Sequence, residues 1–354
     1  MLRSSIFIFV LFFLATFGKA QVSPMNVLFI GNSYTHMNKM PSLFEKISIS
    51  KGIKVNVEMS AKSGHSFRMH SEREDLYEDI KSEKWDYIVL QGFSRELSKS
   101  IEYIDTASVP YLNRILDSIY VNNPCTNVLL FMTWGYKNGF EKREEINSYT
   151  KMSDSVRRGY EYVSFLYELP VVPVGSVWKD VNTESRINLY KEDGQHPSIE
   201  GTYLIAYTFY AAIFKGTAVN TYLGKKISKK DAKFLQKAAF GCVSENLEKY
   251  RLLQNTLSVT GERTKKGEYF VHCWANYPKA TSLTWEFGDG QKANDEAITH
   301  EYKNEGAYWV KLTVQDTCGI RTIKRKVKFE KPEKPSRRER SRPKVVLDSG
   351  TKIY

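Results

Sequence analysis

Cysteine is scarce in this chain, with only 4 in 354 residues. A small protein stapled by disulfide bonds is therefore excluded, because such chains are dense in cysteine. With 42% hydrophobic and 13% aromatic residues, the chain is also neither a disordered polymer nor a collagen-like fibre. At roughly 100–200 residues per domain, its length predicts about two domains, each with its own core.

Long apolar runs are absent after the N-terminus. Arg3 precedes an apolar run over residues 6–17, and Gly18-Lys19-Ala20 has the small-x-small pattern read by a signal peptidase. We therefore predict that residues 1–20 are a signal peptide; an uncleaved anchor is the alternative. No later stretch approaches 18 apolar residues. The expected mature protein has no transmembrane segment, is secreted, periplasmic or on the cell surface, and is permitted to form disulfides.

Acidic residues are too few to balance the basic ones. There are 40 Asp and Glu residues against 52 Lys and Arg residues, so the formal charge is +12. Such an excess invites a nucleic-acid-binding interpretation. However, residues 331–354 hold eight basic and three acidic residues, about half of the excess that remains without residues 1–20. We predict a loosely attached, basic, Pro/Arg-rich tail for contact with a glycan or cell surface, and no nucleic-acid partner.

Short apolar runs rich in β-branched residues alternate with longer amphipathic stretches in the first two thirds of the chain. Strands are predicted at residues 27–30, 55–57, 87–90, 128–131 and 171–174, and helices at 41–49, 71–82, 107–121, 147–167, 201–214 and 228–250. This alternation predicts a doubly wound parallel sheet in a three-layer α/β domain over residues 21–257. Ligands of such sheets bind at the carboxyl ends of the strands.

The pattern changes after about residue 257. Short alternating segments at 269–276, 282–287, 307–314 and 322–328 predict an antiparallel sandwich. The series Trp285-Glu286-Phe287-Gly288-Asp289-Gly290, His300-Glu301-Tyr302 and Leu312-Thr313-Val314-Gln315-Asp316 resembles the PKD domain. This resemblance covers roughly residues 258–330 and implies an all-β, immunoglobulin-like fold acting as a spacer or binding surface.

Two disulfides are conceivable in this arrangement. Cys273 and Cys318 fall on or beside two strands of the PKD-like domain, which favours a disulfide within that sandwich. Cys125 and Cys242 either form a second bridge or remain buried free thiols.

Two separated segments carry the candidate chemistry. The first strand runs into Gly31-Asn32-Ser33-Tyr34-Thr35, which places Ser33 at the ligand-binding edge of the sheet. Far along the chain, Asp193 precedes His196 by three residues in a loop before an apolar helix. A serine becomes a good nucleophile when a base takes its proton and a carboxylate orients that base. Taken singly, each segment is more typical of ordinary structure: a turn or helix cap around Ser33, and a turn cap at Asp193 followed by a surface histidine.

Together these segments resemble the SGNH (GDSL-like) hydrolase family over roughly residues 26–214, with Gly-Asn-Ser in place of Gly-Asp-Ser. The resemblance implies Ser33 as nucleophile, His196 as base and then acid, and Asp193 as the residue that orients the imidazole.

The family's oxyanion hole is matched less completely. The resemblance implies the backbone N–H groups of Ser33 and Gly64 as donors, together with an Asn side chain after the third strand. Residues 90–96 contain no Asn. Gln91 is the preferred substitute because its side-chain amide can donate, Arg95 is the rival and Ser94 a weaker one.

Other polar and aromatic residues near this edge are less specific. Asn32, Arg95 and Trp134 are candidates for substrate contact, although Trp134 is equally typical of a packed core. The histidines at positions 36, 65 and 70 match no standard zinc spacing, so neither a metal nor another cofactor is expected.

The leading hypothesis is a secreted serine esterase that removes acyl groups, most plausibly acetyl, from carbohydrate. The substrate class is implied by the SGNH resemblance, the signal peptide and the PKD-like module. A lipase or thioesterase activity is a variant of the same chemistry. The alternative from another class is a catalytically weak SGNH scaffold that binds glycan or mediates surface adhesion, as the missing Asn would favour.

Overall fold

In the computed structural model of the protein, the described residues are 24–219, 227–254 and 256–329. The predicted signal peptide and the predicted basic tail lie outside them. The chain divides into two compact units, residues 1–252 and residues 253–354. Within the described ranges, no helix combines the length and the apolar character needed to cross a membrane.

The first unit is built on one parallel sheet. Its strands are β1 (Met25–Gly31), β2 (Val55–Ala61), β3 (Tyr87–Leu90), β4 (Asn127–Phe131) and β5 (Val171–Val172). Its helices are α1 (Ser33–His36), α2 (Met40–Ser50), α3 (Phe67–Ser71), α4 (Glu74–Lys81), α5 (Ile101–Ala107), α6 (Val109–Asn122), α7 (Tyr149–Tyr167), α8 (Val174–Glu184), α9 (Ile199–Phe214) and α10 (Lys229–Glu245). Short 3₁₀ helices span Met37–Lys39, Glu96–Ser98 and Glu144–Ile146.

The strand order is β2-β1-β3-β4-β5, and neighbouring strands are parallel. The central strands are apolar and buried along most of their length, as strands covered on both faces must be. Eight of the helices form two packed groups, one of α2, α8, α9 and α10 and the other of α3, α4, α5 and α6, while α7 contacts both α5 and α8. The predicted doubly wound α/β fold is confirmed.

Two of the predicted element boundaries differ from those observed for a local reason. The predicted strand at 171–174 ends at Val172, because Pro173 has no N–H to donate to the neighbouring strand. Pro173 instead occupies the N-cap position of helix α8, a helix that was not predicted. The predicted helix at 71–82 is replaced by α3 and α4, since Arg73 has an extended backbone between them.

The second unit is a pair of antiparallel sheets. Its strands are β6 (Thr256–Arg263), β7 (Tyr269–Asn276), β8 (Ala280–Glu286), β9 (Lys292–Ala293), β10 (Ala297–Tyr302), β11 (Gly306–Asp316) and β12 (Gly319–Phe329). One sheet has the order β10-β7-β6 and the other β12-β11-β8-β9. Their inward side chains, with Trp285, Leu312 and Val314 fully buried, form one core. The predicted all-β sandwich is confirmed.

The favoured disulfide between Cys273 and Cys318 is wrong. Cys273 is a free thiol whose side chain points into the core from β7, and burial raises its pKa to about 11. Cys318 lies in the turn between β11 and β12, where it is exposed and outside the core that holds Cys273. Cys242 is a free thiol and Cys125 is disulfide-bonded, so the pairing of Cys125 with Cys242 is also wrong.

Candidate active site

The turn that carries Ser33 begins where the central strand β1 ends. Parallel register sets Gly31 beside Ala61 and Ile30 beside Leu90, so the ends of three strands meet at this edge. A Cβ atom on Gly31 would lie 2.2 Å from the Thr35 hydroxyl, well inside contact distance. Only glycine therefore allows the chain to turn this tightly from strand into α1.

Asn32 and Gln91 hold this turn together. The buried Asn32 side chain donates to the carbonyls of His65 at 3.1 Å and Gly92 at 3.0 Å, which ties the turn to the loops after β2 and β3. The Gln91 oxygen accepts from the Asn32 backbone N–H and the Thr35 hydroxyl, both at 2.9 Å. Asn32 is thus a brace beneath Ser33 rather than a group open to substrate.

Gln91, the preferred third oxyanion donor, is fully buried, and its amide nitrogen donates to the neighbouring Gly92 carbonyl. Because the Asn32 N–H and Thr35 hydroxyl orient its oxygen, the amide cannot turn towards Ser33 without breaking these bonds. This placement weighs against an oxyanion role for Gln91.

The predicted acid–base residues meet Ser33 in space, although they lie some 160 residues away in the chain. His196 Nε2 lies 3.0 Å from Ser33 Oγ, and His196 Nδ1 lies 2.5 Å from Asp193 Oδ2. The other carboxylate oxygen of Asp193 accepts the backbone N–H groups of Gln195 and His196, both at 2.9 Å. The imidazole therefore bridges a hydroxyl and a carboxylate.

The charge of Asp193 is supported by its surroundings. Partial burial acts to raise the pKa of this carboxyl, but the hydrogen bonds from the His196 ring and the two backbone N–H groups outweigh it and hold the pKa below its usual range. Asp193 is thus ionised at neutral pH and accepts the Nδ1 proton, which leaves Nε2 free to take the Ser33 proton.

The loop that carries His196 is anchored from three sides. Trp134 Nε1 donates to the Gln195 carbonyl at 3.0 Å, and the Lys137 N–H donates to Gly194 at 2.8 Å. From the segment after Ser33, the Asn38 amide donates to the carbonyls of Pro197 and Ser198 and to the Thr202 hydroxyl, at 3.0, 3.2 and 2.8 Å. Sequence reasoning missed Asn38; its left-handed backbone (φ 52°) is a conformation that Asn adopts more readily than most residues.

Trp134 does not line the cleft. Its ring is fully buried, with Tyr34 stacked at 4.4 Å between ring centroids and Trp178 stacked at 4.0 Å. Because both faces of the ring are covered, the prediction that Trp134 stacks against a sugar is wrong. Trp134 instead supports the His196 loop through its ring N–H. Tyr34 also meets the His196 ring edge to face at 5.6 Å, so the stack packs against the imidazole.

Gly64 lies in the exposed turn after β2, with φ +75°, and no atom would come within 4 Å of a Cβ there. The turn is joined to the Ser33 segment, since the Lys62 N–H donates to Gly31 at 3.0 Å and His36 Nε2 lies 2.9 Å from the Ser63 hydroxyl. Gly64 therefore occupies a solvent-facing turn bonded to both flanks of the nucleophile segment.

The remaining candidates after β3, Ser94 and Arg95, contact aromatic residues. The Ser94 hydroxyl lies 2.7 Å from the Tyr136 hydroxyl, and both are buried. The Arg95 guanidinium lies 3.8 Å above the Phe140 ring. Next to it, the buried Glu96 carboxylate accepts the N–H groups of Phe67 and Phe93, a brace that the sequence analysis did not identify.

The histidines near this edge do not form a metal site. His70 is fully buried, where burial and the adjacent Arg73 charge lower its pKa to about 3. His65 Nδ1 lies 3.2 Å from the Ser63 carbonyl. In the part of the chain that the structure describes, no group of three or more His, Cys, Asp or Glu side chains is placed to hold a metal ion.

Sequence comparison with known proteins identifies a family for most of the second unit. Residues 275–330 match the PKD domain family. A 45-residue segment is 51% identical to Collagenase ColA of Clostridium perfringens (strain 13 / Type A), covering 12% of this chain and only 4% of that protein. The resemblance to the PKD domain is therefore confirmed, while the rest of the collagenase has no counterpart in that match.

Solved structures resemble the α/β unit. A DUF4886 family protein from Bacteroides uniformis ATCC 8492 superimposes with a TM-score of 0.54 at 22% identity, over 63% of this chain and 95% of that chain. A candidate SGNH hydrolase from Slackia heliotrinireducens has a TM-score of 0.43 at 22% identity, over 53% and 97%. The first of these shows that the α/β unit shares the fold of the DUF4886 protein.

Proposed function

We propose that this protein is a serine ester hydrolase that removes acyl groups, above all acetyl, from extracellular carbohydrate. The observation that carries the proposal is the position of His196, whose two ring nitrogens lie 3.0 Å from the Ser33 hydroxyl and 2.5 Å from the Asp193 carboxylate. A hydroxyl, an imidazole and a carboxylate in this order are the parts of a nucleophile, its base and the group that orients the base.

In the proposed mechanism, His196 Nε2 takes the Ser33 proton as Oγ attacks the ester carbonyl. The imidazolium, stabilised by Asp193, then gives that proton to the departing sugar oxygen, and an acyl group remains on Ser33. A water molecule, deprotonated by His196, attacks this acyl group, and the returning proton regenerates the Ser33 hydroxyl. No other titratable group is needed in either half of the reaction.

The negative oxygen that forms during each attack needs hydrogen-bond donors. We assign this role to the backbone N–H groups of Ser33, in the turn after β1, and Gly64, in the turn after β2. Each such donor is commonly worth about 3 kcal/mol. With the Gln91 amide engaged by Gly92, the proposal places no weight on a third donor from the loop after β3.

An extracellular location is part of the proposal. It is supported by the disulfide-bonded state of Cys125, since disulfides persist in oxidising compartments. The match of residues 275–330 to the PKD domain family is consistent with the same compartment. Carbohydrate esters are the substrate class that suits such a location and an appended β-sandwich module.

The first test compares the full-length protein with Ser33→Ala on p-nitrophenyl acetate. Loss of the nucleophile should reduce kcat by about 10⁴-fold or more, while Ser82→Ala, at an exposed position on the far end of α4, should retain the activity and so controls for contaminating esterases. Equal rates in wild type and Ser33→Ala would refute the mechanism.

A glycan-binding protein with weak catalysis is the second candidate, favoured by the engagement of the Gln91 amide. It predicts that Ser33→Ala binds acetylated glycan as tightly as wild type and that wild type releases no acetate. Acetate release from acetylated oligosaccharides by wild type alone would decide in favour of the esterase.

A further inference from the structure

A cationic groove is built on the two loops, after β2 and β3, that are hydrogen-bonded to the turn carrying Ser33. Asn32 is hydrogen-bonded to the carbonyls of His65 and Gly92, and the groove wall begins one residue further along each of those two loops, at Ser66 and Phe93. The cavity has a volume of about 460 Å³, enough to hold a sugar unit. It is therefore built on the same loops that flank the candidate nucleophile.

The groove has a strong excess of positive charge. Its walls carry four cations, Arg68, Arg95, Lys99 and Arg143, against a single carboxylate, that of Glu96. The Glu96 oxygens accept the N–H groups of Phe67 and Phe93 and the Ser108 hydroxyl, and even when ionised one carboxylate leaves an excess of positive charge. This set would attract an anion whether or not Glu96 is ionised.

The Arg95 guanidinium is packed against aromatic rings and keeps one N–H donor without a partner among the described residues. Its guanidinium lies over the rings of Phe140 at 3.8 Å and Phe93 at 5.3 Å, so its flat faces are supported by aromatic rings. Its Nε is buried and meets no hydrogen-bond partner among the described residues. A buried N–H without a partner costs free energy, which an incoming oxyanion would recover through a charge-assisted bond.

The other cations complete the site. The Lys99 ammonium lies 5.1 Å above the Tyr103 ring, and burial together with the charges of Arg143 and Arg95 lowers its pKa, which shows that these cations share one field. Arg143 is held in place by the Ser98 carbonyl at 3.1 Å and is only weakly paired with Glu145 at 3.7 Å. Arg68, paired with Glu72 at 3.1 Å, forms the exposed rim.

We propose that this groove is an anion-binding subsite that takes the carboxylate or sulfate group of an acidic sugar adjoining the acylated one, so that the preferred substrate is an acylated acidic polysaccharide. This inference rests on the proposed esterase function. Phe93, Tyr103 and Tyr111 in the walls supply apolar surface for the body of the sugar.

Binding tests the subsite without catalysis. We expect the full-length protein to bind a de-esterified oligogalacturonate at least ten-fold more tightly than a neutral xylo-oligosaccharide in calorimetry at low ionic strength, and a sulfated oligosaccharide run in parallel separates the two anions. The double variant Arg95→Gln/Lys99→Gln should lose at least ten-fold in affinity for the acidic ligand. Arg68→Gln at the exposed rim should lose affinity too, and serves if the double variant does not fold.

Arg158→Gln is the matched control, because Arg158 is an exposed cation on α7 outside the groove and its loss changes the net charge equally. In kinetics, the ratio of kcat/KM for acetylated oligogalacturonate to that for acetylated xylo-oligosaccharide should fall about ten-fold in the groove variants and remain at the wild-type value in Arg158→Gln.

The two proposals fail differently. Wild-type esterase activity with equal affinity for acidic and neutral ligands would overturn the subsite and leave the esterase standing. Tight, groove-dependent binding of oligogalacturonate without hydrolysis of any ester would overturn the esterase and leave the subsite standing.

Discussion

Gln91 shows how one residue can match a motif and serve another purpose. Its amide has the chemistry of an oxyanion donor, yet the folded chain uses both ends of that amide internally, towards Asn32, Thr35 and Gly92. Trp134 is a similar case, because the ring that could stack on a sugar is covered by Tyr34 and Trp178. Both residues support the site from beneath.

The brace formed by Gln91 predicts a loss of stability in Gln91→Leu. Two buried donors, the Asn32 N–H and the Thr35 hydroxyl, would lose their acceptor, at about 1–3 kcal/mol each. Urea unfolding should therefore show a lower free energy of unfolding. Thr35→Val is the matched variant: it should cost less than Gln91→Leu alone and almost nothing when added to it. Unchanged stability of Gln91→Leu would refute the brace.

At the scale of elements, the site depends on contacts between segments far apart in the chain. The Asn38 side chain joins the segment after Ser33 to the start of α9, where Ser198 caps the helix by accepting the Gly201 N–H at 3.0 Å. Trp134 and Lys137 reach the same loop from the end of β4. The position of His196 therefore depends on three elements that only the fold assembles.

Asn38→Gly tests this connection. Glycine keeps the left-handed backbone of Asn38 (φ 52°) but loses its amide, so the two N–H donors that reach Pro197, Ser198 and Thr202 disappear, at about 1 kcal/mol for each donor. We expect a lower melting temperature and a lower kcat for p-nitrophenyl acetate. Lys39→Gly has the same type of backbone (φ 58°) and an exposed side chain, and should keep both values. A full effect in Lys39→Gly would show that backbone freedom, not the amide, is responsible.

Two buried groups near the loops after β2 and β3 predict opposing pH dependences. Burial raises the pKa of Glu96 to about 7 and lowers that of His70 to about 3. The folded chain holds the Glu96 proton more tightly than the unfolded chain, so this contribution is lost as pH rises from about 4.5 to 7. His70 resists protonation in the fold, so its contribution is lost as pH falls from about 6.5 towards 3.

In Glu96→Gln the two trends no longer offset one another. Between pH 6.5 and 4.5 its free energy of unfolding should fall more steeply on acidification than that of wild type, by up to about 1.4 kcal/mol per pH unit. Urea unfolding across this range measures the slopes, with the exposed Glu83→Gln as control. Parallel profiles for Glu96→Gln and wild type would contradict the raised pKa.

At the scale of the whole molecule, the chain is two units with separate cores, a doubly wound α/β unit and an antiparallel β-sandwich. The chemistry proposed here uses residues of the α/β unit alone. The cysteines are distributed over both units, and their redox states differ from those expected from the strand positions.

Thiol titration of the full chain tests that redox state. Denatured under non-reducing conditions, the protein should show two reactive thiols per chain, those of the free cysteines Cys242 and Cys273. Cys242→Ser should show one thiol, and prior reduction of wild type should show four. Four thiols in oxidised wild type would contradict the disulfide.

The sequence by itself determined the two-unit organisation, the doubly wound fold and the PKD match, because apolar periodicity and turn residues are local properties of the chain. It also singled out Ser33, Asp193 and His196 as candidates from two short motifs. Only the tertiary structure decided that Trp134 is buried, that the Gln91 amide is engaged, that Cys273 is free and that Asn38 holds the His196 loop. Burial, pairing and close approach depend on contacts between distant segments, and the same dependence brings four separate cations into one groove.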